Sequence, residues 1–257
     1  MDFDAVWVSV QLAWWTTVIL FVLGLPLAYW LAVTRWRLKF LLEAVVVLPM
    51  ILPPTVLGFY ILIAVGPLSP LGRTYEAVVG RSLAFSFQGL LLASVLYSLP
   101  FAVRPFTAAF AGVDRRLVEA SWCLGVSRLR TFFRIALPLS WAGILTGVIL
   151  SFAHTLGEFG VVLMVGGNIP GVTRTVSISI YDEVQAVNYS KAAMTSLVLL
   201  ASSFLALSVT HLVKNAFYRA SNRARISRVR PPPFRRHTDM IPFIAYSGTK
   251  DGRVLQP

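Results

Sequence analysis

The stretch DRRLVEASWCLGVSRLRTFFRIALPLS, Asp114 to Ser140, is basic and amphipathic, yet it lies between two long apolar runs. Asp114 is a good helix N-cap, and Arg-Arg-Leu-Val-Glu-Ala-Ser after it reads as a short helix. Gly125 stands where that helix would stop in a left-handed conformation. Ser127 can cap a second helix carrying Leu129, Phe132, Phe133 and Ile135, with Pro138 expected to limit its extension. Helix, glycine turn and helix, loaded with arginine, make either a docking knob or a polar loop with helical character. They do not make a bilayer span.

The rest of the chain supplies the spans. Of 257 residues, 56% are hydrophobic and 13% charged, against about 25% charged in ordinary soluble domains. Several apolar runs are long enough to cross a hydrocarbon core of roughly 30 Å. The fold class expected is all-α, a polytopic membrane protein of about five transmembrane helices. Span one covers Ala5 to Val33, with Trp7, Trp14, Trp15 and Trp30 suited to aromatic belts. Asp2 and Asp4 precede it without lysine or arginine, and no small-residue cleavage site follows. It is therefore expected to be retained rather than removed as a signal peptide.

Span two, Phe40 to Gly66, contains Pro49, Pro53 and Pro54 and should be broken near its middle. Gly66 to Ser86 reads as a loop. Span three runs from Phe87 to Gly112, and its Arg104 either snorkels or pairs with Glu43. Span four covers Trp141 to Val165. Gly166 to Ser190 reads as a second loop with a β-like Val172 to Ile180, and span five covers Lys191 to Val213.

The net charge of +12 would suggest nucleic acid in a soluble protein, but its placement argues for topology instead. Loop one holds three basic residues, the Asp114 stretch five and the segment from Lys214 ten; the other side holds Arg73, Arg81, Arg174 and Lys191. The positive-inside bias puts the knob and the C-terminus in the cytoplasm and the N-terminus outside. Residues 1–213 then form the membrane domain. Residues 214–257 form a basic cytoplasmic tail, expected to be partly disordered beyond Pro231.

Catalytic chemistry is not written in the chain. No Gly-x-x-x-x-Gly-Lys-Ser/Thr loop occurs, and His154, His211 and His237 are too far apart for a metal-ligand pattern. The single Cys123 excludes an intrachain disulfide and reads as a small packing residue. No catalytic, cofactor or metal site is expected. Span four carries Ser151, His154, Thr155 and Glu158 at i, i+3, i+4 and i+7, on one face. Polar groups in a bilayer tend to face a bundle interior or a wet cavity. This face therefore either lines a pathway or holds the bundle together by hydrogen bonds. An ionised Glu158 would repel an anion, so it is expected to be protonated or paired to a donor on another helix.

The knob resembles the cytoplasmic signature of ABC-importer permeases. There Glu-Ala-Ala is followed after three residues by Gly, and after nine more by Ile-x-Leu-Pro. The matching positions are Glu119, Ala120, Ser121, Gly125, Ile135, Leu137 and Pro138, with Ser121 in place of the usual Ala. Three other segments resemble molybdate permeases: Val47 to Leu62, Ser151 to Gly171 and Thr173 to Val184. Sulfate permeases are close relatives.

The resemblance implies a non-catalytic permease subunit of an oxyanion importer in a bacterial inner membrane, working as a homodimer by alternating access. Molybdate is the favoured cargo; sulfate and tungstate are the alternatives. Two ATP-binding cassette subunits would bind the ATP and dock through Glu119, Ala120, Ser121, Leu124, Gly125, Leu137 and Pro138 of a coupling helix. An external oxyanion-binding protein, periplasmic or lipid-anchored, would meet Asn168, Gly171 and Arg174. A channel that needs no ATPase would leave the knob unexplained. An embedded enzyme would have only His154 and Glu158 to work with.

Overall fold

The computed structural model describes residues 2–228, with side chains through 212. Its helices, in chain order, are α1 (Phe3–Val33), α2 (Lys39–Ile51), α3 (Pro54–Val65), α4 (Pro70–Val79), α5 (Phe87–Ala111), α6 (Arg115–Cys123), α7 (Arg128–Thr131), α8 (Leu137–Gly157), α9 (Gly160–Gly166), α10 (Val176–Gln185) and α11 (Tyr189–Arg228). There is no strand among the described residues. Met1–Arg219 is one compact unit and Ala220–Pro257 a second, whose described part is the helical end of α11. Of the tail read as basic and partly disordered, 229–257 lies outside the described residues, and 214–228 continues α11 past the expected end of span five.

Among the described residues, four helical stretches are long and apolar enough to span: Phe3–Val33, Phe87–Ala111, Arg128–Gly157 and Tyr189–Leu212; α2 and α3, bent by 112°, bring the number to five when taken as one broken span. The bend has a local cause. Leu52 precedes Pro53, and Pro53 precedes Pro54, so both are pushed out of the α region. They sit at ψ 141° and 134°, and α3 restarts with Pro54 in its first turn, where no N–H is needed.

The bundle is built on α1, α5 and α8, which bury Leu20, Leu31, Val103, Phe106 and Ile144 between them. Small residues bring α5 and α8 close: a Cβ on Gly143 would stand 2.5 Å from that of Ala109. A second cluster packs α3 and α9 on α5 through Ile61, Val65, Tyr97, Val161 and Val165. The two chain breaks meet there, since a Cβ on Gly160 would stand 2.6 Å from that of Pro54. Helix α11 leaves Leu200 and Phe204 about 70% exposed (68% and 73%), a surface suited to lipid.

Several expectations need correction. Gly66 to Ser86 is not all loop: α4 lies inside it, started by Ser69, whose hydroxyl accepts from the Gly72 N–H, and stopped by Gly80 at φ 74°. The β-like Val172 to Ile180 instead enters α10. A lone strand with no sheet beside it would leave its backbone unpaired, whereas the first N–H of α10 donates to the buried Ser9 hydroxyl at 2.8 Å.

Span four begins and ends differently from the expectation. A π-turn, Phe132–Ala136, joins α7 to α8. The extra residue in that turn lets the helix run through Pro138, which therefore does not limit it. At the far end α8 stops at Gly157, and the chain breaks at Glu158–Phe159 before α9. Arg104 is exposed and does not pair with Glu43, which meets Lys39 at 3.5 Å. Cys123 is exposed rather than packed.

Candidate functional site

Three places hold the candidate residues. The first is the knob at the shared end of α1 and α5. Asp114 caps α6 by accepting from the Arg116 N–H at 2.9 Å. The other end closes as a Schellman turn, in which the Val126 N–H donates to Ser121 O and the Gly125 N–H to Trp122 O, with Gly125 at φ 77°. Ser127 then caps α7 through the Arg130 N–H.

The faces of α6 divide by spacing. Arg115, Val118, Glu119 and Trp122 line a pocket against α1 and α5. Leu117, Ala120 and Leu124 are exposed, Leu124 by 83%. Ser121, the departure from the permease signature, is buried. Its hydroxyl lies 2.8 Å from that of Thr131 and 2.8 Å from Val118 O, tying α6 to α7. Leu137 closes the π-turn and Pro138 is exposed in the first turn of α8.

The second place is the polar face of α8. Ser151 and Thr155 are buried and donate to Gly147 O and Ser151 O one turn back, which satisfies them within the helix. Thr155 also meets the Ser98 hydroxyl of α5 at 2.9 Å. The His154 ring stacks on Phe101 at 3.7 Å and leans on Tyr97 at 5.1 Å. Its Nε2 is 3.9 Å from Glu158 Oε2, too long for a hydrogen bond.

Glu158 is buried, and its Oε1 accepts from the Val161 N–H at 3.0 Å. The donor is therefore on another helix, the backbone of α9, where the first-turn N–H groups lack intrahelical partners. Tyr97, Ser98 and Phe101 of α5 carry little signal in the sequence; only Tyr97 and Phe101, at i and i+4, share a face by spacing. Glu158→Leu should remove the cap and strand the Val161 N–H, at about 1–3 kcal/mol. Glu158→Gln keeps the acceptor and should melt within about 0.5 kcal/mol of the parent. Thermal unfolding in detergent reads the difference, and equal losses in both variants would dispose of the capping role.

The third place is at the opposite end of the bundle. Asn168 donates to both carboxylate oxygens of Asp182 at 3.0 and 2.8 Å and accepts from Arg174 Nε at 2.6 Å. Arg174 lies 3.6 Å from Asp182 and 3.8 Å from Asp2. The arginine thus clasps the start of α1 to α10. Gly171, at φ 72°, forms the exposed turn between Asn168 and Arg174. Thr173 is fully buried and donates to Gly166 O. The sequence reading found Arg174 but not its acidic partners Asp2 and Asp182.

Known proteins match this chain over most of its length. Residues 24–218 fit the family described as "Binding-protein-dependent transport system inner membrane component". The chain belongs to that family. The permease is 48% identical over 206 residues to the molybdenum transport system permease protein ModB of Azotobacter vinelandii, covering 80% of this chain and 91% of that one. It is 34% identical over 232 residues to the protein of the same name in Escherichia coli (strain K12), with 88% and 97% covered.

Among solved structures it resembles a chain of the MetNI methionine ABC transporter in inward-facing conformations. The TM-score is 0.61 at 18% identity, over 83% of the permease and 96% of that chain. It also resembles a chain of a bacterial ABC transporter involved in the import of the acidic polysaccharide alginate, with a TM-score of 0.66 at 15% identity and 84% and 79% covered. These likenesses show the fold. Family and apolar helices together make the permease a multi-pass inner-membrane protein.

Proposed function

We propose that the permease is the membrane subunit of an ATP-driven oxyanion importer and that its cargo is molybdate. Two copies form the path, and each docks an ATP-binding subunit in the cytoplasm through the knob. An external binding protein delivers the ion to the end that carries Asn168, Gly171 and Arg174. The observation that carries this reading is the knob itself: a capped helix ending in a Schellman turn that offers Leu117, Ala120 and Leu124 to a partner. The relatives named for molybdenum transport supply the cargo.

The mechanism follows from the two breaks. Helices α3 and α9 pack as a pair, and each is joined to its longer neighbour by a non-helical residue pair, Leu52–Pro53 and Glu158–Phe159. Force applied to α6 reaches α8 through the Ser121–Thr131 bond and the continuous α7–α8 stretch. It can then swing α8 against α9 at the Glu158 joint. The hydroxyls of Ser151 and Thr155 are already engaged, so these two groups offer an ion no strong grip, as release requires.

The test is uptake by vesicles containing the permease with its ATPase subunits and binding protein. Molybdate should accumulate only with ATP, and sulfate should compete only weakly. Uptake by the bare permease would overturn the importer reading; sulfate accumulated in preference to molybdate would overturn the cargo.

A further inference from the structure

We propose that the permease holds an anionic phospholipid between the knob and the ends of α1 and α5. The site is a pocket of about 270 Å3. Arg35, just past α1, and Arg115, at the start of α6, are among its lining residues. Neither has an ion-pair partner within 4 Å among the described residues. Glu119 also lines the pocket, leaving one positive charge in excess. The remaining wall is largely apolar and aromatic, with Tyr29, Phe110 and Trp122 prominent.

Depth and charge identify the occupant. Trp30 and Trp36, next in the chain to the lining residues Tyr29 and Arg35, have ring centroids 6.0 Å apart, and paired tryptophans at a helix end suit headgroup level. Exposed Arg37 and Arg116 are chain neighbours of lining positions, and Arg128 rests on the ring of the lining Trp122 at 5.7 Å. A soluble anion would use the two arginines and leave the aromatic wall idle. A phospholipid uses both: its phosphate sits between Arg35 and Arg115, and its glycerol and first methylenes lie on Tyr29 and Phe110. Basic pockets between helices at this level are suited to such headgroups. The volume is below that of sites enclosing a whole drug-sized ligand, so the acyl chains run outward into the bilayer. A bound lipid of this kind braces α6 against the bundle from the side opposite Leu117 and Leu124. The proposal rests on membrane placement and not on the molybdate reading.

The experiment is native mass spectrometry of the full chain released from nanodiscs of equal phosphatidylglycerol and phosphatidylcholine. The parent should retain phosphatidylglycerol over phosphatidylcholine by roughly fivefold, the scale expected of one net interfacial positive charge. The double variant Arg35→Gln, Arg115→Gln should fall to near parity, and the Lys, Lys pair should keep most of the preference. Arg73→Gln with Arg81→Gln, at the other end, should behave as the parent. No preference in the parent, the same preference in the Gln pair, or displacement of the lipid by millimolar inorganic phosphate would each overturn the proposal. Both arginines are exposed, and if the Gln pair is lost to misfolding, the parent and the Lys pair still decide between lipid retention and none.

Discussion

Gly125→Trp should abolish co-purification of an ATP-binding subunit while the permease itself remains inserted and monodisperse. Gly125 sits at φ 77°, and a Cβ there would meet nothing within 4 Å. The cost inside the chain is therefore only the left-handed penalty, about 1–2 kcal/mol, which a bundle of this size survives. The indole has nowhere to go but outward, next to Leu124, the most exposed apolar residue of α6. A side chain of that size should hold a partner subunit off the turn. Gly125→Ala carries the same backbone strain without the bulk and should retain part of the docking, so the pair separates strain from collision. A normal yield of ATPase with the Trp variant would remove the knob from the docking surface.

The knob was legible because its signals are local. Asp114, Gly125 and Ser127 each act within three residues of themselves, and each does in the structure what its side chain, or lack of one, requires. The break in span two was equally legible, since consecutive prolines constrain the residues before them whatever surrounds them. What escaped depends on distant partners. Val176 to Ile180 alternates like a strand, and only Ser9, on another helix, shows why it starts a helix. Glu158 lies on one face of what reads as an unbroken span, yet its carboxylate ends one helix and caps the next. The flanking Gly157 and Gly160 allow for bending but do not require it. Pro138 reads as a stop because a π-turn leaves no mark in composition. The missed α4 is a different kind of error: Ser69, Pro70 and Gly80 are local start and stop signals, obscured by treating a polar connection as loop.

Gly147→Val should strongly destabilise the membrane core. A Cβ at this position would stand 2.6 and 2.8 Å from two ring carbons of Phe106 and 3.0 Å from the Ala102 carbonyl oxygen. Phe106 is fully buried among Leu20, Val103 and Ile144, so its ring has no free space to move into, and the carbonyl belongs to the backbone of α5. Relief must come from moving α8 off α5. That motion would carry Thr155 away from Ser98 and would loosen the seat of His154 against Phe101. Overpacking of this kind costs about 1–3 kcal/mol, enough to lower the melting midpoint by roughly 2–12 °C. Gly157→Ala is the control, because a Cβ there meets nothing within 4 Å, and its midpoint should stay near that of the parent. Equal melting of the two variants would mean that α5 and α8 are not held at the closeness described. The path from the knob to the Glu158 joint would then lose its rigid middle, because force arriving at α6 would be absorbed in a slack helix pair before it reached α9.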